Sequence, residues 1–308
     1  MRLAQFVMGT LVEITVSGDE DEDYARDAAT EAMRECERIE RVFSRYDAGS
    51  ELTRVNREAF RAPVAASGEL LGLVARGIAY GKASGGAFSI LLQPVIDLWK
   101  ICGGEGRVPS ALELEAALEL CDERRVRLDL EHGTIEFDRE GVQLNFDGLA
   151  KGYAVDAMLT LLRRREIRAA MVNVGTSSIG VISEWNLSVR HPGNRDVVAT
   201  NFILDRSAAS TSSSGERGFS ITGNWYCDVI DGRDGTPKSD VASATAVGES
   251  SELLEAASKI LLLRGCQDGL RICDEAGWEV DALTLNEIDG GLQMQHPDCL
   301  KVWSAGHV

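Results

Sequence analysis

The sequence predicts an α+β fold, in which helices and antiparallel strands are mixed without a regular strand–helix–strand alternation. Some segments repeat apolar residues at helical spacing, whereas others are short and alternate apolar with polar residues. The chain has 308 residues, of which 44% are hydrophobic and 26% charged, a balance typical of a globular protein. We therefore expect a single domain over 1–308, with two lobes whose boundary the sequence does not mark.

The N-terminal third predicts one strand followed by helices. Met8–Val16 is rich in β-branched and apolar residues, which favours a strand. A second helical pattern, Leu70–Ala83, ends at Ser84-Gly85-Gly86, where the glycines break the helix. Between these two segments, one apolar stripe at three- and four-residue steps predicts a helix with a buried face: Ala29, Ala32, Met33, Cys36, Ile39 and Phe43.

The middle of the chain combines a capped helix with short strands. Ser110 and Glu113 have the spacing of a capping box, which predicts a helix through Leu120. Three alternating runs then follow, VRLDL, TIEFD and VQLNF, and they predict an antiparallel meander. A helix over Lys151–Arg165 and a strand over Ala169–Val174 complete this region.

The C-terminal part predicts a loop, a helix and a hairpin. Asp231–Pro237 has turn chemistry throughout, so we expect an exposed loop. Ser251–Leu263 has helical character and ends at Gly265. Trp278–Glu287 is expected to pair with Leu292–Gln295 as a terminal hairpin.

Charge and composition exclude several classes of protein. With 49 acidic and 32 basic residues, the formal charge of −17 repels nucleic acid. No apolar stretch approaches the ~20 residues that span a bilayer, and no secretory leader is evident, so we expect a cytoplasmic protein unless a leader has been removed. The seven cysteines form no CxxC pair and the four histidines are far apart, which argues against a zinc site. Any metal should be a hard cation held by oxygen.

The most informative segment is NFDGLAKGYAVD, from Asn145 to Asp156. It places a strand end, a glycine, a lysine and a helix start within a dozen residues. Free amides at a helix N-terminus beside Lys151 can hold a diphosphate, although a lone lysine there is more often a solvated surface residue. The sequence has no dinucleotide-binding GxGxxG after its first strand, no Walker loop and no GxSxG elbow.

Further motifs accompany this segment in a fixed order along the chain. They are Met8-Gly9-Thr10, FSRYDAGSELTRVN over 43–56, SGGAF over 84–88, Pro94-x-x-x-Leu98-Trp99 and IDGRDG over 230–235. From Met8 to about Gly265, their order and spacing resemble the FAD:protein FMN transferase family, also called ApbE-type. The resemblance implies a T-fold-like architecture with two lobes around a flavin-binding cleft. It also implies that magnesium is used to move FMN from FAD onto a threonine or serine of an acceptor protein.

The resemblance assigns roles to particular positions. Asn56 and Asp228 take the catalytic positions, Asn56 lying near the cleft. The residues expected to bind FAD are Met8, Tyr46, Ala87, Lys151 and Asp231. The positions of the metal ligands are Ala150, through its carbonyl, Glu255 and Lys259.

Several of these positions depart from the family pattern. Glu255 and Lys259 stand where the family has an aspartate and a threonine, and a protonated lysine cannot ligate magnesium. Asp228 replaces a histidine. The other departures are Ser89, Asn145, Gly232, Asp234 and the Gly175-Thr176-Ser177 turn.

These departures leave three interpretations of the metal site open. Magnesium is kept through Glu255, Asp228 and water, or the Lys259 ammonium occupies its place. In the third, Glu255 and Lys259 form an exposed ion pair one helical turn apart. For function, the alternatives are an FMN transferase and a catalytically impaired flavin-binding or scaffold paralogue.

Overall fold

The computed structural model describes residues 1–101, 106–215, 217–237, 241–288, 291–296 and 302–304. The chain divides into two compact units. The first unit comprises Met1–Ile39, Leu149–Gly215 and Asp240–Val308, and the second comprises Glu40–Gly148 and Glu216–Ser239. The assignment of 1–308 to one domain stays a prediction.

Helices and strands alternate irregularly, as an α+β fold requires. The helices are α1 (Glu22–Phe43), α2 (Glu51–Glu58), α3 (Gly68–Ala83), α4 (Gln93–Trp99), α5 (Ala111–Leu118), α6 (Ala150–Arg164) and α7 (Ser251–Glu275). The strands are β1 (Arg2–Val7), β2 (Thr10–Val16), β3 (Val64–Ala65), β4 (Val126–Asp129), β5 (Thr134–Phe137), β6 (Ala170–Val174), β7 (Ser178–Ile182), β8 (Trp185–His191), β9 (Asn194–Leu204), β10 (Ala208–Ser213), β11 (Gly218–Ile221), β12 (Asn224–Cys227), β13 (Ser243–Gly248), β14 (Asp281–Ile288), β15 (Gly291–Gln295) and β16 (Val302–Ser304).

The first unit is built on an eight-stranded antiparallel sheet in the order β1-β2-β6-β7-β10-β13-β14-β15. Helices α6 and α7 pack on one face of this sheet. On that face, Val155 and Leu159 of α6 lie against Gly180 of β7. The next residue, Val181, points the other way into an apolar cluster with Leu187 and other residues of β8 and β9. These strands belong to a second sheet, β16-β9-β8, which covers that face.

Helices α6 and α7 approach each other closely at Gly152. A Cβ atom there would lie 2.3 Å from the carbonyl oxygen of Ser251, at the start of α7. Since no side chain fits at that distance, glycine is required. The contact fixes the start of α7 beside the first turn of α6.

The second unit contains α2 to α5, the sheet β3-β5-β4 and the hairpin β11-β12. Serine side chains cap three of its helices: Ser50 for α2, Ser67 for α3 and Ser110 for α5. Trp99 packs with Phe219 and Ile230, and its indole nitrogen donates to the carbonyl of Gly235 at 2.7 Å. The helix end is thereby joined to the 230–237 loop.

Most predicted elements are confirmed. The apolar stripe of α1 is buried from Ala25 to Phe43, and Ser110 and Glu113 form the expected capping box. Helix α6, strand β6 and the C-terminal hairpin β14–β15 lie where the sequence placed them. The hairpin turn, 289–290, lies outside the described residues. Within the described ranges, no helix is long and apolar enough to cross a membrane.

The strand predicted over Met8–Val16 is confirmed from Thr10 onward, and the strand predicted over 142–146 is wrong. Met8 and Gly9 form the turn of a β1–β2 hairpin, both with positive φ, of 56° and 69°, so β2 begins only at Thr10. Among the residues that the structure describes, the VQLNF run, 142–146, pairs with no strand, and the third strand of the sheet around β5 is β3. The Asn56 side chain instead binds the backbone N–H and C=O of Leu144, both at 2.8 Å. A side chain therefore binds the backbone of Leu144 where a neighbouring strand was expected, and the N–H of Asn145 donates to the carbonyl of Ile90 at 2.7 Å.

A predicted helix also differs in its end, and a predicted loop differs in its burial. Helical structure resumes after Gly265, which has φ 75° and ψ 170°, and continues to Glu275. A Cβ on Gly269 would lie 2.9 Å from Cα of Leu261, whereas eight residues of straight helix span ~12 Å. The chain thus turns back at Gly265. The 231–237 loop, expected to be exposed, is anchored by Asp231, which is fully buried.

Candidate functional site

A cluster of charged side chains gathers at the start of α6 and the first turns of α7, all within the first unit. Lys151 is the second residue of α6 and Ser178 the first residue of β7. Glu255 and Lys259 lie one turn apart on α7, so they share a face, as the spacing predicted. We call these four residues the Glu255 cluster.

Glu255 is the centre of this cluster, and its side chain is only 2% exposed. One carboxylate oxygen, Oε2, accepts from the Lys259 ammonium at 3.0 Å. The other, Oε1, accepts from the Ser178 hydroxyl and lies 4.0 Å from the Lys151 ammonium. The exposed surface ion pair considered from the sequence is therefore wrong, because the carboxylate is buried.

The two lysines are each held by a second contact. Lys259 Nζ also donates to the backbone carbonyl of Glu255 at 3.0 Å, and Lys151 Nζ donates to the Ser177 hydroxyl at 2.5 Å. Their side chains keep exposed fractions of 23% and 29%. Each ammonium thus has a defined position while remaining partly open to solvent.

The electrostatics of the cluster favour an ionised carboxylate. Burial alone would raise the pKa of Glu255, but the charges of Lys259 and Lys151 and the hydrogen bonds from Ser178 and Lys259 bring that pKa well below its ordinary value. Two ammonium groups and one carboxylate leave one net positive charge. In a chain with a formal charge of −17, such a locus attracts an anion.

Asp156, two turns along α6, fixes the helix that carries Glu255. Its carboxylate accepts from the Ser250 hydroxyl at 3.0 Å and from the backbone amides of Ser251 at 2.8 Å and Glu252 at 3.0 Å. Amides at the N-terminus of a helix cannot bond within it, and Asp156 accepts from them instead. No local pattern in the sequence predicts this contact, since its partners are 94 to 96 residues apart in the chain.

The Met8 hairpin lies beside the turn that holds Lys151. Gly175 donates its N–H to the carbonyl of Leu11 at 3.0 Å, and a Cβ on Gly175 would meet the Thr10 hydroxyl at 2.7 Å. Ser177, two residues on, accepts from Lys151. The first unit therefore brings the Met8-Gly9-Thr10 motif and the lysine of the NFDGLAKGYAVD segment to one region.

The second unit brings Ala87 and the Asp231 loop together. Gly232 donates its N–H to the carbonyl of Ala87 at 3.0 Å. The Asp231 carboxylate accepts from the guanidinium of Arg233, with Nε 2.8 Å from Oδ1. A charged pair within one turn explains how the loop buries its aspartate.

The remaining predicted positions in the second unit have separate surroundings. Tyr46 is exposed, with the Arg45 guanidinium 4.1 Å from its ring centre, and Arg45 pairs with Asp147 at 2.8 Å. Asn56 uses its amide on Leu144, as described above. Asp228 is half-buried after β12. The catalytic roles of Asn56 and Asp228 and the FAD contact of Tyr46 stay predictions.

One cavity of the second unit has a volume of about 200 Å³. Neighbours of the predicted positions line it, among them Gly86, Phe88, Ser89 and Gly232. Ala87 and Asp231 are not among its lining residues in the described part of the chain. Sites for drug-sized ligands have volumes of roughly 300–1,000 Å³, so this cavity alone does not hold FAD.

The donor set at the Glu255 cluster does not fit magnesium. That ion requires near-octahedral oxygen ligands at ~2.0–2.1 Å, and Lys259 offers only an ammonium. Among the residues that the structure describes, no group of three or more His, Cys, Asp or Glu side chains could hold a metal ion. Ala150, the first residue of α6, supplies at most a carbonyl. The magnesium site implied by the resemblance stays a prediction that these side chains oppose.

The fold is that of ApbE proteins. The ApbE protein of Thermotoga maritima superposes with a TM-score of 0.85 at 25% identity, covering 97% of each chain. The flavin transferase ApbE of Vibrio cholerae has the same fold, with a TM-score of 0.80 at 23% identity over 97% of each chain. The predicted α+β, T-fold-like ApbE architecture is confirmed.

The chain belongs to the ApbE family, whose model matches residues 8–284. An FAD:protein FMN transferase of Treponema pallidum is 27% identical over 293 residues, covering 88% of this chain and 81% of that protein. An FAD:protein FMN transferase of Klebsiella pneumoniae is 25% identical over 223 residues, covering 70% of each. These comparisons do not support the alternative of a catalytically impaired paralogue.

Proposed function

We propose that this protein is an FAD:protein FMN transferase, which moves the FMN part of FAD onto a threonine or serine hydroxyl of an acceptor protein. Family membership over 8–284 supports the reaction class. The observation that carries the proposal is the Glu255 cluster, where two lysines and one buried carboxylate leave a net positive charge. A diphosphate carries two negative charges, so its charge is opposite to that of this cluster.

The reaction is a phosphoryl transfer. The acceptor hydroxyl oxygen bonds to the phosphorus on the riboflavin side of FAD, and the bond from that phosphorus to the bridging oxygen breaks. AMP leaves with the bridging oxygen, and the hydroxyl proton passes to solvent. Such reactions depend mainly on positioning and on stabilising the charge that grows on the leaving group.

Lys151 is the residue proposed to meet the diphosphate first. Its ammonium lies at the start of α6, held by Ser177 and within 4.0 Å of Glu255. The helix N-terminus adds partial positive charge on the same side. The contributions of Met8, Tyr46, Ala87 and Asp231 to FAD binding, an acceptor protein as partner and a cytoplasmic location are further parts of the proposal.

The test measures binding and transfer separately. FAD affinity by titration calorimetry should fall by about 1–3 kcal/mol in Lys151→Ala, because a charge-assisted hydrogen bond is lost. The matched control is Lys82→Ala, because Lys82 is an exposed lysine of the second unit. The FAD affinity of this variant should equal that of the native protein. Unchanged affinity in Lys151→Ala would remove Lys151 from the site.

Transfer is measured with FAD and a bacterial protein extract as the source of acceptors. We expect AMP release together with FMN-bearing threonine or serine peptides, detected by mass spectrometry. Bound FAD that yields neither AMP nor modified peptides would overturn the proposed function.

A further inference from the structure

We propose that the Lys259 ammonium takes the place of a divalent cation beside Glu255, so that this protein handles the FAD diphosphate without a metal at that position. The inference rests on the proposed function, because it concerns how the phosphates of the same substrate are neutralised. It departs from the magnesium-dependent site that the resemblance implied.

Both carboxylate oxygens of Glu255 already have partners. Oε2 accepts from Lys259 at 3.0 Å, and Oε1 accepts from Ser178 with Lys151 4.0 Å away. Magnesium bound at ~2.0–2.1 Å from either oxygen would also lie beside an ammonium group. Because like charges repel strongly in a buried site, the ion could bind only after Lys259 had moved out.

Lys259 is also held in place by two hydrogen bonds. Its Nζ donates both to the carboxylate and to the backbone carbonyl of Glu255, each at 3.0 Å. These two bonds close a loop within a single helical turn of α7, whose start is fixed by Asp156 and by the close approach at Gly152. The ammonium is therefore preorganised, which is the property that makes an electrostatic group effective in catalysis.

A divalent cation and the Lys259 ammonium differ in the positive charge that they supply. A divalent cation on Glu255 leaves one positive charge, and Lys151 raises this to two. With Lys259 in place of the cation, the cluster carries one positive charge in total. Lysine thus supplies one charge fewer but also N–H donors for phosphate oxygens. We expect a reaction that is slower than with a divalent ion, but independent of metal.

The bonds made and broken at this site are those of the FMN transfer described above. The acceptor oxygen bonds to the FMN phosphorus, the bridging oxygen leaves on AMP, and the hydroxyl proton goes to water. No atom is oxidised or reduced. The ammonium groups of Lys151 and Lys259 neutralise the charge that develops on the AMP phosphate.

The first experiment measures AMP release from FAD in a chelator and then with added magnesium. We expect the native protein to react at the same rate in both. Lys259→Thr should lose about 100-fold in the chelator, since one electrostatic group is removed, and should recover when magnesium is added. Lys259→Arg keeps the charge and should stay metal-independent, and Lys82→Thr is the matched control that should behave like the native protein.

The second experiment does not depend on activity. Manganese(II) is titrated into the flavin-free full-length protein, and free Mn²⁺ is counted by electron paramagnetic resonance. We expect no stoichiometric binding by the native protein or by Lys259→Arg, and one bound Mn²⁺ in Lys259→Thr. Thermal unfolding of each variant establishes that it is folded.

The outcomes separate the two proposals. Native protein that binds one Mn²⁺, or that releases AMP only when magnesium is present, would overturn the inference and leave the proposed function intact. If no form releases AMP, the proposed function fails, and the Mn²⁺ titration still decides whether Lys259 excludes a metal.

Discussion

Two carboxylates of the first unit, the half-buried Asp156 and the buried Glu255, differ in the groups that satisfy them. Asp156 accepts from a hydroxyl and two backbone amides, all neutral, whereas Glu255 faces two ammonium groups. Burial raises the pKa of Asp156 to about 6, against the opposing effect of its hydrogen bonds and with a further rise from the charge of Glu252. The pKa of Glu255 moves the other way, despite deeper burial.

The difference shows which groups offset the loss of solvation. Neutral donors at the start of a helix hold Asp156 in place but only partly offset its burial. Positive charges at 3.0 and 4.0 Å offset the burial of Glu255 fully, so this carboxylate stays ionised at neutral pH. One carboxylate therefore serves to position α7, and the other keeps two lysines at fixed points.

The largest effect is expected when Glu255 is given surroundings like those of Asp156. The double variant Lys151→Met with Lys259→Met leaves a buried carboxylate with neutral partners only. Unfolding in urea, followed by circular dichroism at pH 7, should show a loss of about 3–5 kcal/mol. Adding Glu255→Gln should recover most of that loss, because the unpaired charge is gone.

Lys82→Met is the matched control for this experiment. It removes one lysine charge from an exposed position and should cost at most about 0.5 kcal/mol. A loss below about 1 kcal/mol in the double variant would mean that water reaches Glu255 and that the contrast with Asp156 is not one of buried charges.

A pH series tests the opposite signs of the two shifts. The pKa of Asp156 is raised on folding from 3.8 to about 6, so the native state holds this proton more tightly. The stability contributed by Asp156 should therefore fall as pH rises through that window, by up to about 3 kcal/mol at 1.36 kcal/mol per pH unit. Comparing the free energy of unfolding of native protein with that of Asp156→Asn isolates this fall.

Glu255 should give the opposite slope. Its stabilising contribution is present above its ordinary pKa of 4.5 and is lost as pH falls toward its lowered value. Asp268→Asn, on the exposed side of α7, controls for a general loss of charge. If native protein and Asp156→Asn gave parallel curves from pH 4 to 6, the pKa of Asp156 would not be raised.

The smallest expected effect concerns the hydroxyl donor to Glu255. Ser178→Ala removes a buried hydrogen bond to a charged group and should cost about 1.5 kcal/mol in urea unfolding. Its neighbour Ser177 is half-buried, so water can replace its hydroxyl, and Ser177→Ala should change stability by less than about 0.5 kcal/mol. Equal losses in the two variants would show that Ser178 contributes nothing specific to the carboxylate.

Local patterns in the sequence were sufficient where the partners are close in the chain. The spacing of Ser110 and Glu113 predicted a capping box, and the spacing of Glu255 and Lys259 predicted a shared helix face. The burial of Glu255 was not predictable in the same way. It depends on Ser178, which β7 brings to α7 from 77 residues away.

The errors have a common physical origin. Alternation in 142–146 is compatible with a strand, but a strand also needs a neighbour, and the Asn56 side chain binds the backbone of Leu144 instead. Turn chemistry around Asp231 correctly predicted a loop, while Arg233, two residues on, allowed the aspartate to be buried. Met8 is apolar like the residues of the strand that follows it, yet Met8 and Gly9 form a two-residue hairpin turn before β2.

The backbone break at Gly265 has a consequence for how motion spreads along α7. A helix that unravels from its C-terminal end loses hydrogen bonds turn by turn, and the positive φ of Gly265 interrupts that series. Opening of 266–275 can therefore stop at the break, before it reaches Lys259. The position of the Lys259 ammonium is thereby separated from fraying of the segment beyond the break.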